Sequence, residues 1–330
     1  MSYQPFNKGV SGLYIKDSKA PFHPDNLLEN GLSLEEVAQR KGLDFQLAEA
    51  PALMMSKQNG ALLAVPNRKI IYREDTQLPL SIVGTEYHTV QPTELLDTFD
   101  ALMKTSGFQM RSAGSLLDGK RVWAMAETGE ALTLPGDDQL KGFLFMAGSC
   151  DGSMATTGFF TSLRGTCWNM LQRMIGDAKS RRMFIKVPHS KEFNVAEVQA
   201  ELGLSQGSWI QFSDEATILT QVKVKDVEAV EYLTKVLGKW DDTKDALENV
   251  TEQEGVKTIA KVMQLFKGEG AGSNLKSADG TAWGLVNAVT EFMDHHRGAR
   301  TPDNRFNNTM LGDSFNKKSI AWDEALKLAA

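Results

Sequence analysis

The stretch VGTEYHTVQPTELLDTFDALMKTSGFQM, Val83 to Met110, holds three structural signals in one run. TEYHTVQ is rich in β-branched and aromatic residues and reads as extended, as does LPLSIVG before it. Pro92 and Thr93 then open a helix. Its apolar residues Leu95, Leu96, Phe99, Leu102 and Met103 follow the spacing i, i+1, i+4, i+7, i+8, one unbroken helical face. Gly107 is placed to end that helix, and a second extended run follows.

Outward from this unit, the pattern continues as hairpins. FQMRSAGSLLDGKRVWAMAETG carries Asp118-Gly119 between two strand-like runs. LKGFLFMAGS and SMATTGFFTSLR predict a second hairpin around Asp151-Gly152. TCWNMLQRMIGDA reads as a helix, with Cys167, Met170, Leu171 and Met174 inside and Trp168, Asn169, Gln172 and Arg173 largely outside. MFIKVP is a strand, Asn194 and Glu197 cap a further helix, and SWIQFS is extended. Helices are predicted near 225–237, 252–267 and 282–296, with a capping-box signature at Thr251 and Glu254 and a flexible loop, GEGAGSNLKSADG, between the last two. Upstream, SLEEVAQRKGL pairs Ser33 with Glu36 in a capping box and stops at Gly42, and KIIYRED from Lys69 is a strand.

The fold class that follows is α+β: a curved antiparallel sheet of hairpins packed on helices, then a mainly helical C-terminal region. Three regions are expected: an N-terminal lead-in (1–75), an α+β core that is the candidate nucleic-acid-binding domain (76–220), and the helical C-terminal region (221–330).

The chain has 330 residues, 42% hydrophobic and 24% charged, enough for a real core. No run of eighteen apolar residues occurs, so no membrane span is expected, and MSYQPFNKGV lacks the apolar centre of a signal peptide. Cys150 and Cys167 suggest neither a disulfide framework nor a zinc cluster. A reducing cytoplasm is the simplest home.

Net charge is −6, which alone argues against a nucleic-acid binder, but its distribution is uneven. Residues 1–150 carry net −4, residues 151–191 net +5, and residues 192–330 net −7. The basic island comprises Arg164, Arg173, Lys179, Arg181, Arg182, Lys186 and Lys191 against Asp151 and Asp177. Trp168 shares its helix, and Arg111, Lys120 and Arg121 mark the first hairpin beside Trp123. Cations that neutralise phosphates, with aromatic planes on which bases stack, are what single-stranded nucleic acid needs. The plainer reading is a solvated face paired with acidic neighbours, with Trp123 and Trp168 in the core.

Other chemistry is weaker. In EFMDHHR, Asp294, His295 and His296 are adjacent, and only Glu291 and His295, at i and i+4, share a helical face. A metal would need Asp303 or Asp313 as well, so structural roles are preferred and no metal or cofactor is expected. GEGAG, from Gly268, has the glycines of a phosphate loop without the preceding strand or the Gly-Lys-Ser/Thr, which speaks against an ATP-driven recombinase. Cys167 with His189 or His88 is a poor nucleophile pair, because Cys167 lies on an apolar stripe.

SIVGTEYHTVQPTELLDTFD, CDGSMATTGFFTSLRGTCWNM, KVPHS, GTAWGLVNAVTEFMDHHRGAR and DNRFNNTMLG resemble the phage- and plasmid-related domain-of-unknown-function family 932 across about 80 to 315. That resemblance implies a phage, plasmid or laterally transferred origin and does not by itself imply an activity. In layout, EYHTVQ, ELLDTFDALMKTSG and FQMRSAG–RVWAM, then GTCWNMLQRMIGDAKSRR, are similar to phage single-strand annealing proteins of the essential-recombination-function type. This likeness implies rings or helical arcs that pair complementary strands without ATP. The longer acidic C-terminus departs from that pattern and suits oligomerisation or docking of a host or phage protein.

The leading expectation is a non-catalytic, oligomeric single-stranded-DNA binding and annealing protein of a bacterial cytoplasm. Arg111, Lys120, Arg121, Arg164, Arg173, Lys179, Arg181, Arg182 and Lys186 would hold phosphates, with Tyr87 or Trp168 stacking on bases. The alternatives are a metal-dependent nuclease using Asp294, His295 and His296, and a host-interaction or anti-defence protein.

Overall fold

A computed structural model of the chain describes residues 28, 32–105, 107–164, 167–170, 185–187, 206–238 and 257–330. Helix α1 (Leu34–Lys41) begins with the expected capping box. The Glu36 N–H donates to Ser33 Oγ at 3.2 Å and the Ser33 N–H donates to Glu36 Oε2 at 2.7 Å. Strands β1 (Leu47–Met55), β2 (Leu62–Arg73) and β3 (Pro79–Gly84) form an antiparallel three-stranded sheet with β2 in the middle. KIIYRED therefore lies largely on β2, and the β2–β3 ladder crosses position 75.

TEYHTVQ is not a strand, contrary to its composition. β3 ends at Gly84, and residues 85–91 make no ladder. Their anchor is a side chain: Gln91 accepts from the Leu47 N–H at 2.9 Å and donates to the Leu47 carbonyl at 3.0 Å. One amide group thus does what a paired strand residue would do, satisfying both backbone groups of Leu47.

Helix α2 (Pro92–Thr105) buries Leu95, Leu96, Phe99, Leu102 and Met103, each at most 2% exposed. Gly107 closes it at φ 73°, and the Phe108 N–H returns to the Met103 carbonyl at 2.7 Å. The chain then runs as an antiparallel meander. It comprises β4 (Gln109–Leu116), a tight turn at Leu117–Gly119, β5 (Arg121–Leu134), β6 (Asp138–Ser149) and β7 (Thr156–Arg164). Both expected hairpins are present, with register Leu116↔Arg121 between β4 and β5 and Ala147↔Thr157 between β6 and β7.

The far edge of β7 is shared by two short strands. β8 (Cys167–Met170) pairs with Thr161–Arg164, and β9 (Ile185–Val187) pairs with Thr156–Gly158. β9 was expected from MFIKVP. β8 corrects the helix expected at TCWNMLQRMIGDA, at least through Met170. Residues 171–184 and the helix predicted at Asn194 lie outside the described residues. Two apolar residues three apart satisfy a helical stripe, but four residues are too few to fix a period. The open edge of β7 offers backbone partners to a chain returning after only two residues.

Strand alternation gives the six-stranded sheet two buried faces. Val122, Ala124, Ala126, Leu144 and Met146 join α2 in one core. Trp123, Met125, Phe143, Phe145 and Phe159 join Phe306, Met310 and Phe315 in a second.

Beyond the sheet the chain is mainly helical. The helices are α3 (Gln206–Leu219), α4 (Asp226–Leu237), α5 (Lys257–Gln264), α6 (Ala282–Glu291), α7 (Pro302–Leu311) and α8 (Asp313–Leu328). α4, α5 and α6 match the expected positions, while Thr251 and Glu254 lie outside the described residues. SWIQFS is helical rather than extended, as part of α3. Its Phe212 shares a buried stripe with Ala216 and Leu219 and stacks on Trp322, centroids 5.0 Å apart. Packing on α8 overrides the strand propensity of Trp, Ile and Phe.

Candidate nucleic-acid interface

Tyr87, Lys120 and Arg121 converge at one end of the six-stranded sheet, where the β4–β5 turn meets the β6–β7 turn. The Cys150 N–H donates to the Lys120 carbonyl at 2.8 Å, and Arg121 pairs in register with Ser149. The Tyr87 ring lies against Gly152, whose added Cβ would sit 3.1 Å from it. Burial pushes the Tyr87 phenol up to about 12, with Cys150 and Asp151 adding to the shift. Burial likewise pushes the Cys150 thiol up to about 12. Cys150 is therefore a packed, unreactive thiol.

Arg121 is half-buried. Its Nη1 donates to Asn307 Oδ1 of α7, and its buried Nε has no hydrogen-bond partner among the described residues. Burial lowers its pKa, and nearby Asp151 opposes that shift. Arg73 joins this end, unforeseen in the sequence. Its guanidinium lies 3.8 Å from the centre of the Phe45 ring and donates to the Asp118 carbonyl at 3.2 Å. It meets the hairpin because Gly119 (φ +94°) lets the turn close down, and a Cβ there would be 2.6 Å from Phe45. No local motif connects Arg73 with Asp118, 45 residues apart.

Arg111 is elsewhere. It sits at the bulge between Met110 and Ser112, its Nε 3.7 Å from Glu127 Oε2, and Glu127 also accepts from Lys141 at 3.0 Å. Six residues of β5 separate that point from Arg121, roughly 20 Å. Arg111 and Arg121 are therefore not neighbours.

Arg164 is interior rather than a surface phosphate ligand. It is 7% exposed, its Nε donates to Asp138 Oδ1 at 2.7 Å, and its two Nη atoms reach the carbonyls of Ala271 and Gly272. Asp138 Oδ2 accepts from Ser277 at 2.6 Å and from the Trp283 indole at 2.9 Å. This buried cluster ties the sheet to the C-terminal helices. GEGAG thus turns two carbonyls to an arginine, where a phosphate loop would offer N–H groups. Trp123 is core as well, 3% exposed and 4.9 Å from Phe306.

For Trp168 and Lys186 the backbone gives the register: Trp168 opposite Leu163, Lys186 opposite Thr157. Arg173, Lys179, Arg181 and Arg182 lie outside the described residues. The ends of that segment are nevertheless fixed. It leaves from β8 and returns as β9, both on the outer edge of β7.

The carboxylates weighed for a metal are engaged otherwise. Residues Phe292–His296 wind as a π-turn, with the Arg297 N–H on the Phe292 carbonyl at 2.8 Å. The five-residue offset brings His296, not His295, to Glu291, at 3.4 Å. Glu291 Oε2 accepts from the Ala271 N–H at 2.7 Å, Asp294 pairs with Lys318 at 2.9 Å, and Asp313 pairs with Arg297 at 2.7 Å. Asp303 accepts from the Leu117 N–H at 2.8 Å. Among the described residues no group of three or more His, Cys, Asp or Glu is arranged to hold a metal. Nor is any helix there long and apolar enough to cross a membrane.

Comparison with curated proteins and with solved structures gives no match for this chain. A family model described as a domain of unknown function (DUF932) matches residues 79–311. The matched span opens on the first residue of β3 and closes on the last of α7. It takes in the whole six-stranded sheet and more than two thirds of the chain, and the protein accordingly belongs to the DUF932 family.

Proposed function

We propose that this protein binds and anneals single-stranded DNA without ATP, as an oligomer, in the cytoplasm of a bacterial host, with a phage or plasmid origin. The observation that carries the reading is the charge of one segment. Residues 151–191 hold net +5 in a chain of net −6, and net +4 without the buried Arg164. The stretch with Arg173, Lys179, Arg181 and Arg182 is tethered at both ends to the β7 edge through β8 and β9. A basic segment held at both ends on a sheet edge meets a flexible polyanion at lower entropic cost than a free tail. Tyr87, Lys120 and Arg121 mark a second, smaller contact at the sheet end. Arg164 is withdrawn from the ligand set, because its charge is compensated inside.

The test is fluorescence anisotropy of the full chain with a labelled single-stranded oligonucleotide, titrated across salt, with a duplex control. Binding that favours the single strand and weakens steeply with salt is expected, followed by ATP-free annealing of complementary strands. Absence of binding at low salt overturns the proposal.

A further inference from the structure

The β1–β2 hairpin projects an apolar arm. Leu53, Met54, Met55, Leu62 and Leu63 are exposed by 52%, 53%, 70%, 67% and 48%. The register Leu53↔Ala64, Met54↔Leu63 and Met55↔Leu62 puts Met54 and Leu63 on one face and Leu53, Met55 and Leu62 on the other. Both faces of the arm are therefore apolar. From Ala50 to Asn67 only Lys57 is charged, at the tip. β1 is also an edge strand, and no described strand pairs with its outer side. Soluble proteins guard such edges with charges, prolines or bulges; here Pro51 and the bulge after it guard the base of the arm, and Leu53–Met55 beyond them carries no such device.

We infer that this arm is a self-association surface whose occupant is the arm of a second copy. Three features select a copy over another partner. A strand edge is its own complement: beyond Pro51, two antiparallel Leu53–Met55 edges about a twofold axis satisfy each other's N–H and C=O groups. A single lysine gives no electrostatic address to an oppositely charged partner. On both faces of a sheet joined along that edge, the exposed Leu53, Met54 and Met55 would meet apolar side chains of the copy. The inference deepens the oligomer in the function proposed above and rests on it for subunits that work together, but not on DNA binding.

The test is sedimentation velocity of the full chain without nucleic acid, over micromolar concentrations, beside two double variants. M54E/L63E charges one face and M55E/L62E the other. All four side chains are about half exposed or more, so both variants should fold, with melting lowered only slightly by the two glutamates that face each other across the ladder. The parent is expected to assemble, and each variant to weaken assembly at least tenfold. A monomeric parent overturns the inference, and so do variants that assemble as well as the parent. A monomer whose arm amides are protected from exchange also overturns it and assigns the arm to the chain's own N-terminal residues. Anisotropy with the oligonucleotide is scored separately. An assembling parent that ignores DNA sinks the nucleic-acid reading alone, and a monomer that binds DNA sinks only the arm.

Discussion

Asp138 and Arg164 show how one residue can be assigned to the wrong job by its type alone. An arginine at the end of a strand, in the basic part of an acidic chain, reads as a phosphate ligand. Its partner lies 26 residues earlier, and the carbonyls it holds lie more than a hundred later. No spacing rule in the sequence joins them. The consequence is a sharp contrast between stability and binding. Asp138→Ala leaves a buried guanidinium uncompensated and should cost about 3–5 kcal/mol in urea unfolding. Arg164→Met should cost a similar amount, because it leaves the buried Asp138 carboxylate with only Ser277 and Trp283 donating to it, and should leave affinity for single-stranded DNA unchanged at equal salt. A loss of affinity in a folded Arg164→Met protein would return this arginine to the surface.

Tyr87 and Cys150 make a second prediction at this scale. In the unfolded chain the thiol ionises near 9.0 and the phenol near 10.0, whereas in the fold both are pushed up to about 12. The folded state holds these protons more tightly than the unfolded state does. The stability they contribute is whole below about pH 9.0 and is lost as pH rises toward about 12. Chemical denaturation across that window should show a falling midpoint, and the double variant Tyr87→Phe, Cys150→Ala should flatten the fall. An equally steep decline in the variant would place its cause elsewhere.

Among the elements, legibility followed length and local closure. The Ser33–Glu36 capping box, the α2 face ended by Gly107 and the two Asp-Gly hairpins are local, and each lies where the sequence puts it. α7 had a legible signal too, in Thr301 followed by Pro302. The Thr301 hydroxyl caps the Asn304 N–H at 3.1 Å. What failed were short segments whose state is set from outside. β8 takes its form from the edge of β7, α3 from the surface of α8, and residues 85–91 from the Gln91 amide. The π-turn at Phe292 shifts the histidine register by one residue, which no 3.6-residue pattern anticipates. Helix α6 offers the sharpest test of packing at this level. A Cβ on Gly284 would lie 2.0 Å from the Ala278 carbonyl oxygen, and all ten residues of the helix are buried. Gly284→Ala should therefore destabilise by about 3 kcal/mol, the upper end for an overpacked core, seen as a lowered melting temperature. A neutral effect would mean that the α6 start relaxes freely.

For the whole molecule the governing fact is an acidic body with a basic segment held at one sheet edge. At long range a chain of net −6 repels DNA, and salt screens that repulsion within about 10 Å at 0.1 M. At contact, counterion release from the phosphates favours binding, and this term weakens as salt rises. The two effects have opposite salt dependence, so neutralising a cation at the true contact and one remote from it give different signatures. Arg181→Ala with Arg182→Ala removes two charges from the tethered segment. If both meet phosphates, the slope of log affinity against log salt should become shallower by about 1.4 for single strands, with weaker binding at low salt. Arg111→Ala, at the Glu127 bulge roughly 20 Å from Arg121, should change neither by more than a small fraction of that. If the two variants shift affinity alike and leave the slope intact, only overall charge is being read, and the segment between β8 and β9 is not the contact.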